Sequence, residues 1–298
     1  MGPAEMGERG RRWCLFTCAG DRSALRRWGA DDPRRRWDLV LGYYGDSERE
    51  YAELSQHADF AFRDKGGKYQ ILRRLMAREP DLFSRYDYVW VCDDDIEMTP
   101  IQIDEAFAIT ERFEFWVAQP AFDPSGKISH AMTRSVAPRY DYRLVNFVEE
   151  GVPIFRRDKL DAFLAVYDGS LTGWGIAYWY VNVLRADSFA RFAIIDRVSV
   201  RNPHDADKGG VREVDLLQPT PLRVRDWLEV KKKHNLVEFP HRVFACCRLV
   251  PEMEQRDVSA PGRRLDPEFL HVFPAWTKLR DAAGRAHQAS RRVLRGGI

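Results

Sequence analysis

The segment Val89-Trp90-Val91-Cys92 runs without a break into Asp93, Asp94 and Asp95. Successive side chains of an extended chain point to opposite faces, so four apolar residues in a row need a sheet covered on both sides. Three adjacent carboxylates need water or a cation instead. The junction therefore predicts a strand over about Tyr86 to Cys92, central in a parallel sheet, whose carboxyl end opens onto solvent or a ligand.

The rest of the chain agrees with an α/β reading. Trp13–Cys18, Trp37–Leu41 and Phe60–Phe62 are short apolar runs with turn residues between them, as expected of buried strands. Lys68 to Arg78 has helical spacing, with Ile71, Leu72, Leu75 and Met76 on one face and Pro80 as a stop. Thr99-Pro100 with Gln102 three residues past the cap predicts a second helix start. Further strands are expected at Phe115–Ala118 (closed by Gln119-Pro120), Val152–Phe155 and Phe192–Ile195. This alternation predicts a mostly parallel central sheet with helices on both faces. Past about Val214 it fades into basic, amphipathic sequence until Arg242–Val250. The expected division is a flexible leader at 1–10, a catalytic domain at 11–215, and a basic extension at 216–298.

At 298 residues, with 45% apolar and 12% aromatic side chains, the chain can bury a sizeable core. A net charge of +2 gives no reason to expect nucleic acid. The first residues lack the apolar core of a secretory signal, and Met6 stands where N-myristoylation wants Ser or Thr. No apolar run reaches the ~18 residues needed to span a bilayer. Five cysteines without zinc-ligand spacing read as buried, reduced thiols, hence a cytoplasmic protein. The tail from Trp276 carries Lys278, Arg280, Arg285, Arg291, Arg292 and Arg295. It would either pack on the domain with its arginines in water or rest on anionic lipid at the inner face of a membrane.

Ligands of open α/β sheets bind at the carboxyl ends of the strands. Asp93 and Asp95, two residues apart, can face one side there and would repel each other unless a cation lay between them. Such oxygen donors suit Mg2+ or Mn2+, which also hold substrate phosphates. The plain alternative is a solvated loop that complements the dipole of the following helix.

An apolar strand, Asp-x-Asp and a helix resemble the nucleotide-sugar glycosyltransferases of the GT-A fold. Four pieces resemble more closely a family of plant and bacterial proteins known as a glycosyltransferase-like domain of unknown function. They are Tyr86–Asp95, Ala118–Asp123, Val148–Phe155 and Gly173-Trp174-Gly175, and with Lys68-Tyr69 the likeness spans roughly residues 60 to 202. The resemblance implies a metal-dependent glycosyltransferase with a nucleotide-sugar donor and a glycan or lipid-linked acceptor, as in cell-surface polysaccharide synthesis. It implies that Asp95 binds the metal directly and that Asp93 touches the ribose or reaches the metal through water, with Asp94 beside it on the donor side. Lys68 would meet a phosphate or a nearby carboxylate, and Arg22 and Asp46 the nucleobase and ribose. Gln119, Pro120 and Asp123 would line the sugar or acceptor side, and Trp174 would stack on an acceptor.

Two positions depart from the family. Ala177 stands where an aspartate is usual, which leaves Asp168, Glu149 or Glu150 as candidate bases. His204 lies two residues after the family's histidine and would be a further metal ligand. Lys208-Gly209-Gly210 would form a loop closing on the diphosphate. Two other functions compete: an aspartate-dependent phosphotransferase, against which Glu97 stands where that class wants Thr or Val, and a non-catalytic nucleotide- or glycan-binding protein with a degenerate transferase fold.

Overall fold

A computed structural model describes residues 11–184, 191–208, 215 and 218–249. The chain divides into two units, 1–249 and 250–298. The second unit, and with it the expected basic tail, lies outside the described residues, as does the expected leader.

The described strands are β1 (Trp13–Ala19), β2 (Trp37–Tyr43), β3 (Phe60–Arg63), β4 (Tyr88–Asp93), β5 (Val117–Phe122), β6 (Tyr142–Val145), β7 (Ile154–Arg156), β8 (Phe192–Val200) and β9 (Val243–Cys247). They form one sheet in the order β3-β2-β1-β4-β7-β5-β8-β6-β9. Neighbouring pairs are parallel except where β6 and β7 run against the others. Period-two alternation divides the core: Val89 and Val91 of β4 join one cluster, and Tyr88, Trp90 and Cys92 join the other. Each such fully buried apolar side chain contributes about 1.5–3 kcal/mol relative to exposure.

The helices are α1 (Glu48–Ser55), α2 (Lys68–Arg78), α3 (Pro80–Ser84), α4 (Pro100–Arg112), α5 (Arg157–Leu164), α6 (Ile176–Leu184), α7 (Asp205–Lys208) and α8 (Thr220–Lys233). Buried residues of α2, α3, α5, α6 and α8 pack on one face, and those of α1 and α4 on the other. The start of α4 is the expected capping box: the Gln102 N–H donates to Thr99 Oγ1, and the Thr99 N–H to Gln102 Oε1 at 2.8 Å.

Two local readings, at Pro80 and in β5, are refined by the structure for identifiable reasons. Pro80 does end α2, but it also opens α3, where a missing N–H costs nothing. β5 does not close at Gln119-Pro120; it runs to Phe122. Its pairing with β7 covers only Val117 and Ala118, and its register on β8 shifts after Pro120, so the proline falls where the ladder is already interrupted. Part of the expected extension, the described residues 218–249, packs on the sheet. β9 pairs with β6, and Trp227 of α8 packs over Gly175, whose φ of +92° and lack of a Cβ make room for the indole.

β6 escaped the sequence reading because Arg143 interrupts its apolar pattern. That arginine is fully buried: its guanidinium donates to Asp196 of β8 at 2.7 and 2.8 Å and to the carbonyls of Met132 and Arg134. Burial raises the pKa of Asp196, and Arg143 opposes that rise. Breaking a buried pair by removing one partner is more harmful than replacing both. Asp196→Ala should therefore lose ~3–5 kcal/mol in urea unfolding, and the Arg143→Met, Asp196→Leu double variant should recover much of it. A single variant within ~1 kcal/mol of the parent would contradict this account.

Candidate active site

β4 leaves the sheet at Asp93, and Lys68, the first residue of α2, meets it there. Lys68 Nζ lies 2.6 Å from Asp93 Oδ1 and 3.3, 3.0 and 3.1 Å from the carbonyl oxygens of Val91, Glu150 and Gly151. Asp93 titrates above the ordinary carboxylate range, raised by its withdrawal from water and by Asp95 and lowered by Lys68. A Cβ on Gly151 would stand 3.0 Å from Asp93 Oδ2, so a glycine lets the loop before β7 pass this close.

The three aspartates diverge. Asp94 turns inward: its Oδ2 accepts the Gly20 N–H at 3.3 Å, and its carbonyl accepts the Ala24 N–H and the Ser23 hydroxyl. It therefore fixes the loop after β1, and burial holds its pKa well above the usual value. Asp95 Oδ2 pairs with Lys208 Nζ at 2.7 Å, and Lys208 also donates to Asn202 Oδ1 at 2.9 Å. Asp93 and Asp95 thus each meet a lysine, one from α2 and one from the segment after β8. Among the described residues each keeps one carboxylate oxygen outside these pairs. Two carboxylates with an open oxygen fit Mg2+ or Mn2+, which are held by one or two carboxylates plus substrate phosphates.

His204 is not brought to them. It is exposed, and no group of three His, Cys, Asp or Glu suited to a metal forms among the described residues. Asp46 is exposed and pairs with Lys65 at 2.8 Å. It lines a cleft of about 350 Å³ at the ends of β2 and β3, with Tyr43, Arg63 and Asp64. Arg22 lies exposed in the loop after β1.

On the other side, Gln119 is fully buried, and its Oε1 accepts the Glu149 N–H at 2.7 Å. It positions a loop rather than facing a sugar. Glu149 Oε1 accepts the Thr133 hydroxyl at 3.0 Å. Asp123 caps a turn by accepting the Ser125 N–H at 2.8 Å. Asp168 accepts from Lys233 Nζ at 2.6 Å and from the Ser170 N–H. Burial pushes its pKa up, but those bonds outweigh burial and hold it well below the ordinary range. A carboxylate so occupied ties a turn to the end of α8 and is poorly suited to take a proton. Trp174 stands 49% exposed. The Thr172–Gly175 turn lies against α2, since a Cβ on Gly67 would meet the Thr172 backbone at 2.9 Å.

Residues 32–143 match the model of a family described as a protein of unknown function, DUF707. The match takes in the Asp triplet and Gln119–Asp123 but ends before the Val148–Phe155 and Gly173–Gly175 pieces. No curated protein matches the sequence. Among solved structures, Staphylococcus aureus TarS residues 1–349 in complex with UDP-GlcNAc superposes with a TM-score of 0.52 at 10% identity, covering 74% of this chain. The fold is that of the GT-A glycosyltransferases. The chain spans 65% of that TarS fragment. GalNAc-T7 with UDP, GalNAc and Mn2+ is matched at a TM-score of 0.48 and 12% identity, over 76% of this chain and 48% of that one.

Two features were not legible in the sequence: Thr133, which carries no signal of its own, and the pairing of Lys208 with Asp95. Its Lys-Gly-Gly setting drew attention to Lys208 without naming its partner.

Glu149 is pushed up to about 8, first by burial and then by Glu150. From its ordinary value of 4.5 up to about 8, the folded chain holds a proton that the unfolded chain has released. Stability must therefore fall as pH rises through that window. Glu149→Gln removes this loss, so its melting temperature relative to the parent should climb from pH 4.5 to above 8. Parallel curves across that range would count against a protonated Glu149.

Proposed function

We propose that the chain is a metal-dependent glycosyltransferase that moves a sugar from a nucleotide-sugar donor to a glycan or other acceptor. The observation that carries this reading is the Asp93–Asp95 pair at the carboxyl end of a central strand of a GT-A sheet, each carboxylate with a lysine beside it. TarS is described with UDP-GlcNAc, so UDP sugars are the first donors to test. Asp93 and Asp95 would hold Mn2+ or Mg2+, whose charge assists departure of the diphosphate.

The two lysines differ in what they can do for that diphosphate. Lys68 has three N–H donors and already lies among four oxygens, so it anchors. Lys208 has two partners among the described residues, so it is the lysine placed to reach a phosphate. The cleft beside Asp46 would take the nucleoside, and Trp174 the apolar face of an acceptor sugar.

Ala177 is buried in the first turn of α6 and offers no carboxylate there, which favours a second reading as a non-catalytic binder of nucleotide or glycan. No described helix is long and apolar enough to cross a membrane. We place the protein in the cytoplasm, with a lipid-linked acceptor reached at the inner face of the membrane through the basic segment at 276–298. Failure to co-sediment with anionic vesicles would remove that placement.

With Mn2+, UDP or a UDP sugar at ~100 times its Kd should stabilise the fold by ~2.7 kcal/mol. Asp95→Asn should abolish the metal-dependent part of that shift and lower turnover on the order of 10²–10³-fold. An unchanged shift in Asp95→Asn would remove Asp95 from the metal site. Binding without turnover of any donor would favour the non-catalytic reading.

A further inference from the structure

Given the transferase reading above, a hydroxyl of the acceptor must lose its proton as it attacks the donor sugar. Ala177 leaves the first turn of α6 without a carboxylate, and Asp168 is occupied by Lys233 and Ser170. Glu149 faces Thr133. Glu150 differs from all of these. Its carbonyl is held by Lys68 Nζ at 3.0 Å and the Tyr69 hydroxyl at 3.3 Å, so its backbone is fixed by the same ammonium that binds Asp93. Its Oε1 lies 3.8 Å from the point where a Cβ on Gly173 would stand, next to the exposed Trp174. Apart from a contact with its own backbone N–H, its carboxylate has no hydrogen bond or ion pair with another described residue.

We infer that Glu150 is the general base of the transfer, placed between the Asp93 end of β4 and the acceptor mouth at Trp174. In the step, Glu150 takes the proton of the acceptor hydroxyl. The oxygen forms its bond to the anomeric carbon while the bond from that carbon to the phosphate oxygen breaks. The nucleoside diphosphate leaves with the electron pair. Attack of this kind, from the face opposite the leaving group, inverts the anomeric configuration. Burial is the first cause that lifts the Glu150 carboxyl above its ordinary range, which suits a group that must accept a proton.

The test uses the full chain with UDP-GlcNAc and UDP-glucose in Mn2+, with water as the acceptor. UDP release gives the rate, and NMR of the freed sugar before mutarotation gives the anomer. Glu150→Gln should keep the UDP-induced thermal shift and donor KM of the parent while kcat falls ~10²–10⁴-fold. The parent should release the β-anomer from these α-linked donors. Should Glu150→Gln fail to fold, Glu150→Asp, one methylene shorter, carries the test with a fall in kcat of about tenfold or more at unchanged donor KM. Undiminished kcat in either folded variant, loss of UDP binding with the side chain, or release of the α-anomer would overturn the assignment. A parent that turns over these donors while the variants match it sinks the base alone. A parent that neither binds nor turns over any nucleotide sugar sinks the transferase reading, and the base with it.

Discussion

The ammonium of Lys68 is the point on which the candidate site depends. β4 is apolar on both faces up to Cys92 and then places a carboxylate where the sheet ends. A carboxylate at the end of such a strand, partly withdrawn from water, needs an opposite charge beside it. Lys68 supplies the opposite charge, and because it opens α2 it also fixes where that helix begins. Its contacts with the carbonyls of Glu150 and Gly151 draw the loop before β7 onto the same spot. One side chain thereby joins a helix start, a strand end and an antiparallel insertion into an otherwise parallel run.

Small residues allow the pieces to close around that charge. Gly151 lets the loop pass Asp93, and Gly67 brings α2 against Thr172, which carries the Trp174 turn into place. The outcome is a row that runs from the Asp93–Asp95 pair past Glu150 to an exposed indole. That order corresponds to the chemistry proposed: leaving group, proton acceptor, acceptor surface.

Much of this was legible in the sequence, for physical reasons that can be named. A strand buried on both faces is continuously apolar, so β1, β2 and β4 read clearly. α2 and α4 announced themselves through helical spacing and a capping box. β6 did not, because Arg143 breaks its apolar pattern and is compensated by Asp196, 53 residues away in sequence. The function of each acidic residue was harder to read than its presence. Asp94 and Asp95 are neighbours in sequence, yet one faces a buried loop and the other a lysine from beyond β8. Asp168 resembled a turn residue or a base, and its contact with Lys233 at the end of α8 makes it a tether. Gln119 resembled a sugar ligand, but it fixes the Glu149 backbone. Pairings of this kind depend on long-range packing, which local spacing does not encode.

The central claim is that the end of β4 binds a nucleoside diphosphate through a divalent cation. A crystal structure of the protein grown with UDP and Mn2+, with anomalous scattering used to locate manganese, tests it most directly. The account predicts one manganese bound by Asp93 and Asp95, directly or through water, and by diphosphate oxygens, with Lys208 turned toward the phosphates and Lys68 unmoved. UDP bound away from the end of β4, or UDP bound there with no manganese beside Asp95, would contradict it.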